Sequence, residues 1–234
     1  MEHGARAQVL RGVRAGIPVA FGYVPMAVAF GILAARAGLG IGPAAAMSVF
    51  VYAGASQFAS LSLIAGGSSA LAISLATLVL NFRHFLMSVS LSRRLPPAPP
   101  GRTVWAASVG LGFGITDETF VVASMEDALT PAFFAGLIAT AYVAWVAGTL
   151  IGASFGPLIP SFLASGMGMA LYAMFIAILV PGVKKSWANG VVAAAGGFLA
   201  WVLTIPFPSL PQGWRIVLAI LAASALGACV REDT

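Results

Sequence analysis

A chain of 234 residues with 60% hydrophobic and 8% charged residues and a mean hydropathy of +0.98 is not a soluble globular domain, in which about a quarter of residues are charged. Its length accommodates about six to eight membrane crossings of roughly 20 residues and leaves no room for a soluble catalytic domain. The net charge of +5 comes mostly from basic residues at the ends of apolar windows, where they anchor orientation, so it supports no nucleic-acid partner.

The apolar windows run over 13–35, 43–66, 69–90, 103–124, 132–153, 160–180, 187–205 and 214–230. Alternating strand patterning is absent, and a lipid-exposed backbone must satisfy its own polar groups, so the windows are predicted helices and not barrel strands. The fold class is therefore an all-α polytopic membrane protein with transmembrane and half-spanning helices. Residues 1–234 are expected to form a single membrane domain, surrounded by membrane lipid. The first window is longer than a signal-peptide core and more membrane segments follow it, so no cleavable signal peptide is expected. Cys229 is the only cysteine, which leaves no internal disulfide and no cysteine-rich metal site.

In the first window Pro18 and Pro25 flank Phe21-Gly22-Tyr23. Each proline removes a helix donor, and the spacing predicts a kinked or locally unwound element with Gly22 and Pro25 on a substrate pathway; the alternative is a packing kink. Two glycine pairs at four-residue spacing, Gly12 with Gly16 and Gly110 with Gly114, suit close helix packing, and the second pair suits a face left open for another subunit.

Arg6, Arg11 and Arg14 put the N-terminus in the cytoplasm, as Arg93, Arg94 and Arg102 do for loop 91–102 and Lys184 and Lys185 for a later one. Full crossings by every window would place loop 91–102 outside. One window in 13–90 and one in 103–180 must therefore be re-entrant or half-spanning. In the first half the candidate is 43–66, with Gly54-Ala55-Ser56-Gln57 near its middle. Two such irregular elements fit inverted structural repeats over 13–90 and 103–205, although the sequence shows no internal repeat.

Polar residues inside the windows are the candidate substrate or proton pathway. Ser56 and Gln57 offer neutral hydrogen-bonding groups, for a substrate or for helix–helix contact. In Asn81-Phe82-Arg83-His84, Asn81 and His84 share a helix face while Arg83 points elsewhere, toward the interface by snorkelling. His84 either carries a proton or donates a structural hydrogen bond. Asp117 and Glu118 follow a glycine-rich stretch in an apolar window. Because isolated charges are costly in lipid, the pair faces a protein-lined cavity or is held partly protonated. Neighbours on a regular helix diverge by about 100°, so unwinding is the easier way for both to share a cavity. There one binds an ammonium and the other titrates, or either pairs with Arg83 or His84. Glu126 and Asp127 precede Pro131 and are predicted in a solvated loop. No zinc-hydrolase motif, catalytic dyad or phosphate-binding loop stands out, so neither an enzyme nor a metal or other cofactor is predicted.

Four segments in order carry a resemblance that spans almost the whole chain. They are Gly16-Ile17-Pro18 with Gly22-Tyr23-Val24-Pro25 and Phe30-Gly31; Ser48 to Phe58; Asn81-Phe82-Arg83-His84; and Thr116-Asp117-Glu118-Thr119-Phe120. With them the chain resembles the large subunit of the branched-chain amino acid exporters, the AzlC-like permeases. The resemblance implies a secondary transporter of the bacterial inner or plasma membrane that exports branched-chain or other small apolar amino acids. It also implies a small hydrophobic AzlD-like subunit as partner. Proton coupling through Asp117 or Glu118 is the expected drive; the alternatives are a channel-like facilitator of another solute and a non-transporting scaffold. The stretch Pro96-Pro97-Ala98-Pro99-Pro100 reads as a stiff spacer.

Overall fold

The computed structural model describes residues 2–96, 110–158, 160, 176, 179–180, 183–184, 186–206, 218–219, 222–223 and 225–227. Most of windows 160–180 and 214–230, the segment 97–109 with its prolines and Arg102, Lys185 and Cys229 lie outside the described residues. Among the described residues every regular element is helical: α1 (Glu2–Arg36), α2 (Ile41–Phe50), α3 (Gly54–Ala65), α4 (Ala70–Ser92), α5 (Asp117–Ser124), α6 (Pro131–Phe155) and α7 (Trp187–Val202). Three of them, α1, α4 and α6, are long and apolar enough to cross a membrane, and α2 and α7 are shorter apolar helices. At 1.5 Å per residue α2 and α3 reach only about 15 and 18 Å, half of a hydrocarbon core of about 30 Å.

The centre of the fold is the pair α1 and α6. Contacts climb both helices together: Gly12 meets Phe133, Gly16 meets Thr140, Gly148 meets Ala27 and Gly156 meets Ile32, so the two run parallel. They lie so close that a Cβ on Gly12 would fall 1.9 Å from the Phe133 carbonyl oxygen, and one on Gly152 2.1 Å from that of Val28. Lipid tails give no hydrophobic drive between helices, so such backbone proximity, which only small residues permit, is the main source of attraction. Gly12 and Gly16 thus serve packing. Gly114 does too, because Ile138 of α6 fills the space beside it, so of the pair expected to leave a face for another subunit only Gly110, which is exposed, stays open.

The local unwinding predicted as one outcome at Pro18 and Pro25 is absent: α1 is helical through both prolines. Both lie on the exposed face of the helix, while Gly12, Gly16, Tyr23, Ala27 and Gly31 on the buried face key into the rest of the bundle. A neighbouring helix held along its length keeps the chain helical despite two lost donors, as transmembrane helices allow.

The break falls instead in window 43–66. Residues 51–53 interrupt it, with Tyr52 at φ 44°, a left-handed conformation that is unfavourable for a bulky residue. Leu61 of α3 and Ala44 of α2 pack with Phe30 and Ala34, near the C-terminal end of α1, whereas Gly54 reaches Trp145 in the middle of α6. The two short helices therefore form a hairpin that enters from the far end and turns at mid-depth. At the opposite end Arg11 pairs with Glu126 at 2.6 Å. Arg94 donates to the carbonyls of Ser124 (2.5 Å) and Glu126 (2.8 Å). The start of α1, the end of α4 and the turn between α5 and α6 thus share one end, rich in arginine. The loop predicted around Glu126 and Asp127 is present and Asp127 is exposed, but Glu126 within it is tied to two arginines.

Candidate functional site

Five stretches of chain converge at mid-depth on one cavity. Tyr23 and Met26 come from α1, Tyr52 to Ala55 from the hairpin turn, Arg83 and His84 from α4, Thr116 to Glu118 from the start of α5, and Trp145 closes it from α6. Its volume is about 30 Å³, room for a water or two. A larger solute enters only if these side chains move apart.

The start of α5 is set by its sequence. Thr116 in extended conformation accepts a hydrogen bond from the Thr119 N–H, and the Thr119 hydroxyl accepts one from the Thr116 N–H at 2.8 Å, a reciprocal cap. Thr119 also donates to the Gly114 carbonyl at 3.0 Å, which closes the non-helical turn before α5. Asp117 and Glu118 occupy the first turn, where the helix dipole favours negative charge. The unwinding predicted for this pair stops one residue earlier. Both carboxylates reach the cavity from a regular helix because it lies beyond the helix end, where the first two residues flank the axis.

The two carboxylates have different partners. Asp117 Oδ2 pairs with Arg83 Nη1 at 2.6 Å. Glu118 Oε2 accepts from the hydroxyl of Tyr23, which lies 2.6 Å from Thr116 Oγ1. A phenol has one proton to give. With Tyr23 donating to Glu118, Thr116 must donate to Tyr23, and a directed chain of hydroxyls ends on the carboxylate. Tyr23 is also fixed by an edge-to-face contact with Trp145, with ring centroids 5.2 Å apart.

Beside the cavity lies a second, fully buried network. The Gln57 carbonyl accepts from Trp145 Nε1 (3.0 Å) and from the Ala53 N–H (3.3 Å), and its amide donates to Ser48 Oγ at 2.9 Å. Ser48 in turn lies 2.7 Å from Thr149 Oγ1. Ser56 Oγ is turned back onto the Ala53 carbonyl at 3.0 Å. These bonds staple α2, α3 and α6 around the hairpin turn.

Of the eight pathway candidates, His84, Asp117 and Glu118 line the cavity. Ser56 and Gln57 are buried next to it with their polar atoms engaged elsewhere. Gly22 and Pro25 lie on the exposed face of α1. Asn81 stands off the cavity with Oδ1 buried and unbonded. The expected grouping on α4 is reversed: Arg83 and His84 face inward and Asn81 does not, because the ion pair with Asp117 draws the guanidinium in from the interface. Trp145 and Tyr52 escaped sequence reasoning as site residues. A tryptophan in mid-window, away from the interfacial belts where it normally sits, was the available signal. Among the described residues no group of three His, Cys, Asp or Glu side chains is placed to hold a metal ion.

The sequence model of the family described as AzlC protein matches residues 18–159, a range that contains every residue lining the cavity. Among curated proteins, the chain is 32% identical over 157 residues to the inner membrane protein YgaZ of Escherichia coli, covering 64% of this chain and 62% of that one. It is 33% identical over 150 residues to an uncharacterized membrane protein of Archaeoglobus fulgidus, with 64% of each covered. The branched-chain amino acid transport protein AzlC of Bacillus subtilis is 27% identical over 151 residues, 61% of this chain and 56% of that protein. The chain thus matches these relatives over less than two thirds of their length. No solved structure matches it.

Proposed function

Because this chain belongs to the AzlC protein family, and one of its relatives is an inner membrane protein of Escherichia coli, we propose that it is the large subunit of a secondary transporter. In this reading it exports branched-chain or other small apolar amino acids and works with a small hydrophobic AzlD-like subunit. The observation that carries the reading is the meeting of two opposed half-helices, α3 and α5, whose N-termini both open on the cavity with Asp117, Glu118, Arg83 and His84. Transporters place substrate sites at such interruptions near mid-membrane. A passive scaffold has no need of this convergence, and Gln57, which stays outside it, has a structural place of its own. The Bacillus subtilis relative, a branched-chain amino acid transport protein, supports the substrate class.

Opposed half-helices also support the two-repeat organisation over 13–90 and 103–205, with six to eight spanning and half-spanning helices. For coupling, the partners divide the labour. Asp117 is neutralised by Arg83, while Glu118 is held by uncharged hydroxyls and is the proton carrier. One charge moved across the membrane is worth about 2.3 kcal/mol per 100 mV, about a fifty-fold gradient of a neutral solute. Proteoliposomes with and without the small subunit, loaded with leucine, valine, isoleucine or methionine, test the reading. Acid-driven flux of at least one of these is expected, and flux of none under either condition would sink it.

A further inference from the structure

The two helices that begin at the cavity begin differently. Thr116 caps α5 with its hydroxyl, whereas α3, twelve residues long, starts on Ala53 with no side-chain cap, and its first residues Gly54 and Ala55 line the cavity. A helix start presents N–H groups and partial positive charge, a setting that suits an anionic oxygen. Beside it Tyr52 is 2% exposed and lines the same cavity, yet its buried hydroxyl has no hydrogen-bond partner. A buried hydroxyl without a partner is costly unless something else supplies one. The left-handed backbone at Tyr52 is a further unfavourable conformation held at the same spot. Arg83, the other group suited to a carboxylate, is engaged by Asp117 at 2.6 Å.

We propose that the start of α3 and the Tyr52 hydroxyl form a carboxylate subsite, which with Glu118 on the facing helix receives the two charged ends of an α-amino acid. The inference rests on the reading of the chain as an amino acid transporter and adds how the main-chain groups are told apart. Ammonium and carboxylate of an amino acid are separated by a single carbon, so their receptors must stand close together, as α3 and α5 do. The subsite selects amino acids over amides and amines of the same side chain, and leaves the side chain to the apolar wall of Met26 and Trp145.

Binding of leucine, leucinamide and 3-methylbutylamine to the full chain in nanodiscs tests this. The native chain should bind leucine at least about ten-fold more tightly than either analogue, the scale of a charge-assisted hydrogen bond. Tyr52→Phe should weaken leucine by about ten-fold and leucinamide by less than about two-fold. Equal affinity of the native chain for leucine and leucinamide overturns the subsite whatever the variant does, and so does unchanged leucine affinity in a folded Tyr52→Phe protein. If leucine, valine, isoleucine and methionine all fail to bind the native chain, the transporter reading falls and the subsite with it.

Discussion

Apart from Asn81, the polar residues of the membrane interior named as pathway candidates are either bonded within the protein or face the cavity, and their substitution should separate accordingly. Gln57 makes three hydrogen bonds to α2, α6 and the hairpin turn. Gln57→Leu leaves Trp145 Nε1 and the Ala53 N–H buried without partners, at a cost of about 1–3 kcal/mol each. Thermal unfolding in detergent should show a clearly lowered midpoint, while the relative rates for leucine, valine and methionine stay as they were. Glu118→Gln should do the opposite: the melt stays close to native, flux driven by a pH gradient is lost, and leucine binding weakens because the same carboxylate receives the ammonium. Full pH-driven flux in Glu118→Gln would remove Glu118 from coupling. For Asp117 the ion pair predicts non-additivity, because removing one partner strands the other. Asp117→Asn and Arg83→Gln should each lower the melting midpoint, and the double variant should lie above the sum of the two losses.

At the scale of the element, the sequence indicated where the chain is interrupted better than by what. Parity of the positive charges required a half-spanning element in 13–90, and the hairpin of α2 and α3 occupies the window singled out for it. The prolines of α1 misled, because a proline's effect on a helix depends on which face it occupies and on what holds the other face. Neither is written in the residues 18 and 25 themselves. The local chemistry around Asp117 was legible, whereas Tyr52 and Trp145 were not, since their roles arise from contacts between residues about ninety positions apart. Close packing of α1 on α6 yields a further test. Gly152→Val places atoms where the Val28 carbonyl oxygen stands and should abolish the monodisperse folded protein on size exclusion. Gly197→Ala, which meets nothing within 4 Å, should be indistinguishable from native.

For the whole molecule, the shared arginine-rich end predicts the sidedness. Cysteines placed at Arg6 and Arg93 should both react with a membrane-impermeant thiol reagent only from the cytoplasmic side, once Cys229 is replaced. The outward face of α4 presents Leu71, Leu78, Phe82, Phe85 and Leu86, all well exposed. Lipid or the small subunit covers such a face in the membrane, and co-purification followed by cross-linking from Leu78→Cys distinguishes the two.

The bonds from Gln57 to Trp145 and from Ser48 to Thr149 join segments that leave the ribosome about a hundred residues apart. When α2 and α3 emerge, the helix that completes them has not yet been made. The hairpin must therefore wait, its polar groups unsatisfied, at the outer surface or in the insertion machinery, and seat itself only after α6 has entered the bilayer. Biogenesis would then have a late, post-insertional step. Nascent chains arrested before residue 131 should leave a cysteine at position 52 open to reagents from outside, and chains arrested well past α6 should bury it.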